Sequence, residues 1–370
     1  MKCEFFGICG GCALAYEYNE QFTIKKKRFL EEFIEFNINK VDEFLSEELY
    51  FRNRGEFRVW KEDSGVSCAM FAAGGKKLIC ISDCPIVNKR FDMIKIVSFL
   101  NENTTFSAKL FEIDFLASTN EKDIVISFIF HRELNDELTL IATHLAKKLN
   151  ANIILRSRKQ KVVIGNDYII ENFTIAGVNY SMKQLENSFS QPNGGVNQKM
   201  TSWVYENTLN INGDLLELYC GNGNFTILIA KNFAKVLAIE VAANSLQTAR
   251  ENAIRNNAEN ISFARLSAAE FASAYRGDRE FNRLKEINLK SFNFKTIFVD
   301  PPRAGMDNDS IALAAQFDKI IYISCNQETL KRDLLILTQT HNVISAAIFD
   351  QFPYSNHLES GIILERRKSD

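Results

Sequence analysis

The stretch Asp214-Leu215-Leu216-Glu217-Leu218-Tyr219-Cys220-Gly221-Asn222-Gly223-Asn224 decides the fold. Its apolar run reads as a buried strand that ends in a Gly-x-Gly turn, ahead of a helix starting at Phe225. Glycines at a first strand–helix turn let a ligand approach the backbone closely. The next strand, Val236-Leu237-Ala238-Ile239-Glu240, ends in an acid about twenty residues past Gly221, the spacing of a ribose-hydroxyl acceptor. No third glycine is present for a pyrophosphate, which favours a nucleoside cofactor such as S-adenosylmethionine over NAD.

Strand and helix patterns alternate from there to the C-terminus, so this half is expected to be a parallel, doubly wound, Rossmann-like sheet. Two further strands end in reactive residues. Thr296-Ile297-Phe298-Val299-Asp300 stops at Pro301-Pro302-Arg303, because proline cannot continue a central strand. Ile320-Ile321-Tyr322-Ile323-Ser324 stops at Cys325-Asn326. Carboxyl ends of parallel strands are where open α/β sheets bind ligands, so Asp300, Arg303 and Cys325 are placed on one rim. A lone cysteine there reads equally well as packing, since free Cys is among the most buried residue types. The neighbours give it chemistry: Phe349-Asp350-Gln351-Phe352-Pro353-Tyr354, then His357-Leu358-Glu359, precede a closing strand Gly361–Leu364. His357 reads as an orienting or solvated group, and Cys220 as packing.

The N-terminal half reads differently. Cys3, Cys9 and Cys12, interleaved with Gly7, Gly10 and Gly11, pack three thiols into ten residues. In a reducing compartment clustered cysteines point to a metal rather than disulfides. Cys84 is the best candidate for a fourth ligand and Cys80 the next; four thiolates suit zinc or an iron–sulfur cluster. A helix is expected over Tyr16–Ile38, with Lys25-Lys26-Lys27-Arg28 as a solvated face. In Tyr50-Phe51-Arg52-Asn53-Arg54-Gly55-Glu56-Phe57-Arg58-Val59-Trp60, alternation puts Arg52, Arg54 and Arg58 on one side of a strand, with Phe51, Phe57 and Val59 opposite. Arginines beside exposed aromatics are how single-stranded RNA is held, and a polar strand face gives the same pattern. Three units are expected: 1–47 with the cysteines and first helix, 48–185 as a smaller α+β RNA-recognition domain, and 186–370 as the catalytic domain.

At 370 residues the chain has ample core for these units. A net charge of -2 argues against nucleic-acid binding through bulk charge and leaves room for a local basic surface. No apolar run is long enough for a membrane span and no signal peptide opens the chain, so a cytoplasmic protein with no membrane contact and no obligate protein partner is expected.

With Asp214–Phe225, Phe298–Arg303, Ser324–Asn326 and Phe349–Glu359 assembled, the chain resembles the RNA uracil-5-methyltransferases from about Arg52 to the C-terminus. Glu186-Asn187-Ser188-Phe189-Ser190-Gln191-Pro192-Asn193, Arg279-Glu280-Phe281-Asn282-Arg283-Leu284 and Asp350–Tyr354 resemble the tRNA branch. The resemblance implies a Cys325 nucleophile that adds to uracil C6, and Glu359 as the base that later removes the C5 proton. It implies S-adenosylmethionine at Gln191, Tyr219, Asn224, Glu240 and Asp300, and Arg303 at the uracil. The implied product is ribothymidine at uridine 54 of the tRNA T-loop, with tmRNA as a second substrate and the T-arm as the partner. The pattern of Cys3, Cys9, Cys12 and Cys84 is similar instead to the four-cysteine site of the ribosomal-RNA branch, which tilts the metal towards [4Fe–4S] and keeps a large-subunit ribosomal uridine as an alternative substrate.

Two rival readings have their own tests. Asp300-Pro301-Pro302 is similar to the acid-Pro-Pro motif of amino-methylating enzymes, which need no thiolate. A non-catalytic tRNA-folding chaperone would need neither Cys325 nor Glu359.

Overall fold

The structure is a computed structural model that describes residues 3–14, 16–63 and 65–368. The first helix spans Tyr18–Glu32 and is followed by a short edge strand, β1 (Asp42–Phe44). The N-terminal half then supplies β2 (Arg54–Glu62), β3 (Gly65–Phe71), β4 (Leu78–Ile81), β5 (Leu110–Ala117), β6 (Ile124–Phe130), β7 (Asn152–Ser157) and β8 (Gln160–Ile164). A hairpin follows, β9 (Tyr168–Ile175) and β10 (Val178–Leu185). The C-terminal half supplies β11 (Asp214–Leu218), β12 (Val236–Glu240), β13 (Ile261–Arg265), β14 (Phe294–Val299), β15 (Lys319–Ser324), β16 (His341–Phe349) and β17 (Glu359–Arg366).

Among the described residues these strands form two large sheets and the hairpin. The catalytic sheet runs β1-β16-β17-β15-β14-β11-β12-β13. Its central strands β11, β14 and β15 are covered on both sides, which is why they read as unbroken apolar runs rather than alternating ones. Asp214, at the start of β11, accepts from the backbone N–H groups of Lys235 at 2.9 Å and Asn293 at 2.7 Å, tying the lower ends of the neighbouring strands together. The expected all-parallel sheet needs one correction. β17 runs antiparallel to both β15 and β16, because the turn after Phe349 returns the chain directly without a crossover helix. The first strand lies beside the last ones: β1 pairs in parallel with β16.

The N-terminal sheet runs β4-β3-β2-β5-β6-β7-β8 and is antiparallel except where helix Asp136–Leu149 carries the chain from β6 to a parallel β7. Its core aromatics Phe57, Phe91 and Phe115 stack on one another, so Phe57 is buried; Phe51 is also buried. The expectation that these rings face solvent is therefore corrected: alternation separates the two faces of a strand but cannot say which one is covered. The β9–β10 hairpin shares its core with helix Gly194–Asn207 and the first strands of the catalytic sheet. Helix Ala243–Arg255 finishes the hairpin's open edge. Asn252 and Asn256 each accept from and donate to the backbone of Lys183 and Ser181, respectively, at 2.7–3.0 Å, imitating a further strand.

The N-terminal helix ends earlier than its periodicity predicts. A 3-10 turn over Ile34–Phe36 and Asn37 at φ +59° stop it. Its Lys25 is 1% exposed, against the reading of 25–28 as a solvated face, because its ammonium is paired with Asp350 at 2.7 Å. No helix among the described residues is long and apolar enough to cross a membrane.

Candidate active site

Strand order reverses between β11 and β14, and the carboxyl ends of the strands around that point carry the candidate residues. Tyr219 follows β11, Glu240 ends β12, Asp300 follows β14 and Cys325 follows β15. Glu359 arrives by the antiparallel return: β15 and β17 pair Ser324 with Ser360, so Cys325 and Glu359 face each other just beyond the last pair. Helix Gln327–Leu337 starts immediately afterwards, and Asn326 caps it by accepting from Glu328 N at 3.1 Å. The same Asn326 donates to the Arg303 carbonyl at 2.9 Å, binding the Pro-Pro loop to the cysteine turn.

One cavity of about 720 Å³ is lined by Gln191, Tyr219, Asn224, Glu240, Asp300, Arg303, Cys325 and Glu359 together. Its size is that of a small-molecule site. The turn beneath it is built for close approach. Gly221 has φ +56°, with nothing within 4 Å of where a Cβ would stand, and at Gly223, with φ +83°, a Cβ would press on the end of the Ile227 side chain. Tyr219 holds the left-handed conformation at φ +64° without being glycine, a strain that clusters at ligand sites. Glu240 accepts from Gly221 N at 3.0 Å and Ala242 N at 2.7 Å. Gln191 Oε1 is buried with no partner, an acceptor waiting for a ligand donor. Asn224 is oriented by Asn197, their amides exchanging bonds at 2.8 and 2.9 Å. Sequence reasoning missed Asn197, whose one signal is its place four residues after Asn193, the cap of helix Gly194–Asn207. These features fit an adenosyl cofactor: open glycine backbone, an acid at the second strand, and an unsatisfied amide.

The electrostatics separate the groups. Burial pushes Glu359 up to about 8, helped by the charge of Asp300 and opposed by Arg303. Burial pushes Asp300 up to about 7. Cys325 is pushed up to about 11 by burial and then by Glu359 and Asp300, again opposed by Arg303. Arg303 is thus the cation that favours both a thiolate and a carboxylate here. Glu359 Oε2 is buried without a hydrogen-bond partner, and the charge of this carboxylate bears on Cys325. The raised acids have a consequence for stability. The folded chain keeps protons that the unfolded chain releases near 4.5 and 3.8, so the stabilising contribution is complete in acid and is lost as pH rises through about 7 to 8. The melting temperature of the ligand-free protein is expected to fall between about pH 5 and pH 8, and Glu359→Gln to flatten that fall in a thermal scan.

A second cavity, of about 410 Å³, is lined by Cys3, Cys9, Cys12 and Cys84; Cys80 does not line it. No thiol of the chain is in a disulfide. Burial pushes Cys12 up to about 12 and Cys84 to about 11, and each is raised further by the charges of Cys9 and Cys3. Among the described residues no three His, Cys, Asp or Glu side chains converge as a single ion requires. Arg52 turns inward beside Cys84 and Cys12. Arg54 donates to the Ser188 carbonyl at 2.7 Å and to Ser190 Oγ at 3.2 Å, bracing the loop that carries Gln191. Only Arg58 of the three lies on the outer face, paired with Glu112 and with its guanidinium 4.3 Å from the Phe111 ring centre. Phe111 in turn stacks on His131 at 4.2 Å and is 37% exposed. That open stack was not read from the sequence: Phe111 shares the parity of the buried Ile113 and Phe115, and a register shift between Leu110 and Glu112 turns it outward.

The model of the tRNA (uracil-5-)-methyltransferase family matches residues 17–367. The chain belongs to this family. It is therefore a methyltransferase, and its relatives agree along nearly their whole length. It is 45% identical over 352 residues to the tRNA/tmRNA (uracil-C(5))-methyltransferase of Cellvibrio japonicus, covering 95% of this chain and 96% of that one. It is 44% identical over 375 residues to the protein of the same name from Aliarcobacter butzleri, covering all of both. Among solved structures, the Pyrococcus abyssi tRNA (uracil-54, C5)-methyltransferase in complex with S-adenosyl-L-homocysteine shares the fold at a TM-score of 0.71 and 21% identity, over 94% of this chain and 83% of that one. The methyltransferase fold expected from Asp214–Glu240 is thus the one found.

Proposed function

We propose that this methyltransferase forms ribothymidine at uridine 54 of the tRNA T-loop and acts on the equivalent loop of tmRNA, from S-adenosylmethionine. The observation that carries the reading is the convergence of Cys325, Glu359 and Arg303 with Gln191, Tyr219, Asn224, Glu240 and Asp300 in one cavity. Gln191, Tyr219, Asn224, Glu240 and Asp300 hold the cofactor, and bound there it supplies an electrophilic methyl group. The remaining work belongs to the chain. Uracil C5 is a poor nucleophile, so Cys325 adds as thiolate at C6, and the electron pair of the C5–C6 double bond moves onto the ring as an enolate. Arg303 stabilises that charge and the thiolate that precedes it. Once C5 carries the methyl group, Glu359 takes the C5 proton, the double bond re-forms, and the sulfur of Cys325 leaves. To enter the cavity the uridine must be turned out of its loop.

The RNA-facing surface is assigned to the N-terminal domain, with the Arg58–Phe111–His131 stack as its platform. The basic group serves a phosphate and the ring serves an unpaired base. Phe111→Ala is expected to raise the KM for tRNA about tenfold while the KM for S-adenosylmethionine stays unchanged. Equal loss for both would place the ring in the fold rather than at the RNA. The chain is proposed to divide as 1–47, 48–185 and 186–370, with the first unit lending β1 and its helix to the catalytic sheet and the β9–β10 hairpin at the seam.

Cys3, Cys9, Cys12 and Cys84 are proposed to hold a [4Fe–4S] cluster. The support is their shared cavity and the effect of their charges on Cys12 and Cys84, a four-thiolate donor set of the kind that holds such clusters. Protein purified without oxygen is expected to be brown with about four irons per chain. Colourless protein carrying zinc rejects the cluster.

A further inference from the structure

The loop Asp350–Tyr354 joins the two cavities, since Phe352 lines both. This loop is fastened from the far end of the chain. Lys25 Nζ donates to Asp350 Oδ1 at 2.7 Å and to the carbonyl of Phe352 itself at 2.9 Å. Lys25 and Asp350 are 1% and 0% exposed. Gln21, one turn earlier on the same helix, accepts from Tyr354 N at 2.6 Å. On the catalytic side, Gln351 accepts from Asn193 N at 3.1 Å, two residues past Gln191. A buried ion pair is a weak device for stability, because desolvating both charges offsets most of their attraction. A paired ammonium has donors to spare, however, and here one is spent on the carbonyl of the residue whose ring walls the cavity of Cys325 and Glu359.

We infer that Lys25 and Asp350 are positioning residues for methyl transfer, holding Phe352 as the wall against which the target pyrimidine packs. The inference rests on the proposed uracil site, and it assigns a part in the reaction to a helix outside both sheets. Neither residue touches the reacting atoms. Their effect passes through the backbone of Phe352, so a displaced ring should cost turnover rather than cofactor binding.

The test uses the full-length protein with unmodified tRNA, measuring melting temperature, kcat, and the KM for S-adenosylmethionine. Lys25→Met strands a buried carboxylate and should lower both melting temperature and kcat. The double variant Lys25→Met/Asp350→Leu removes both charges and should recover the melting temperature to within a few degrees of wild type. Its kcat should remain about ten- to a hundredfold down with the KM for S-adenosylmethionine unchanged, because the bond that ties the Phe352 carbonyl to the first helix is gone and only the local bonds from Ser355 N and Oγ remain. Phe352→Ala should reproduce that loss with the ion pair intact. Wild-type kcat in the double variant overturns the positioning role and leaves a purely structural pair. Wild-type kcat in Phe352→Ala overturns it even if the double variant does not fold. Cys325→Ala, assayed alongside, separates the two claims: turnover surviving there overturns the uracil site and this inference together, whereas turnover lost there with a fully active double variant overturns only the inference.

Discussion

Cys325→Ala is expected to lower methyl transfer on the order of 10⁴-fold or more, the scale seen when a covalent nucleophile is removed. That corresponds to about 5 kcal/mol of lost transition-state stabilisation. The fold should survive, because Cys325 is half-buried beyond the end of β15 and holds no other element in place. Losing one sulfur there costs about 1 kcal/mol of stability. Cofactor affinity should be retained, since the Gly221–Gly223 turn, Glu240 and Gln191 are untouched. Isothermal titration with S-adenosylmethionine and a tritium-transfer assay on one preparation check both halves. Turnover near wild type would mean the chemistry needs no thiolate, as in the amino-methylating enzymes with an acid-Pro-Pro motif.

Glu359→Gln is expected to stop the reaction later and more visibly. Glutamine has the same shape but cannot take a proton at C5, so the reaction proceeds through addition and methylation and halts before elimination. A covalent protein–RNA adduct should accumulate, resistant to denaturant and carrying the transferred methyl label, while turnover falls about 10²- to 10⁴-fold. The substitution is mild structurally. Burial pushes this carboxyl up to about 8, so its site at 3% exposure already disfavours the charge, and a neutral amide of the same shape is accommodated there. Removal of the adduct by a second mutation, Cys325→Ala, would show that the link runs through that sulfur. An adduct that fails to form, with turnover intact, would remove Glu359 from the mechanism.

What the sequence made legible follows from how local each feature is. Glu240, Asp300 and Cys325 could be read because each ends a buried strand, where a run of apolar residues breaks at a polar one, whereas Tyr219 was named through the family resemblance. Parallel strands put all such ends on one side, so three separate local signals become one site. Glu359 has no such local signal. It reaches Cys325 only because β17 inserts antiparallel beside β15; the sequence offered it as a neighbour ahead of the closing strand, and its role as the base came from the family resemblance. Lys25 was misread for the same reason: its partner lies 325 residues away, and a run of four basic residues on a helix gives no hint that the first is buried. The Arg58–Phe111–His131 stack escaped because its members come from three neighbouring strands or their ends. Register decides that they meet, and a single sequence does not carry register. Phe57 went wrong on a different point, since period-two alternation has no sign until something covers one face.

Transfer from methyl-labelled S-adenosylmethionine to unmodified tRNA and, separately, to large-subunit ribosomal RNA, with the product mapped to the nucleotide, tests the central claim most directly. The expected result is label in ribothymidine at position 54 of tRNA and none in ribosomal RNA. Label confined to ribosomal RNA would contradict the account, and would make the four N-terminal cysteines a better guide to the substrate than the loops around Gln191 and Gln351.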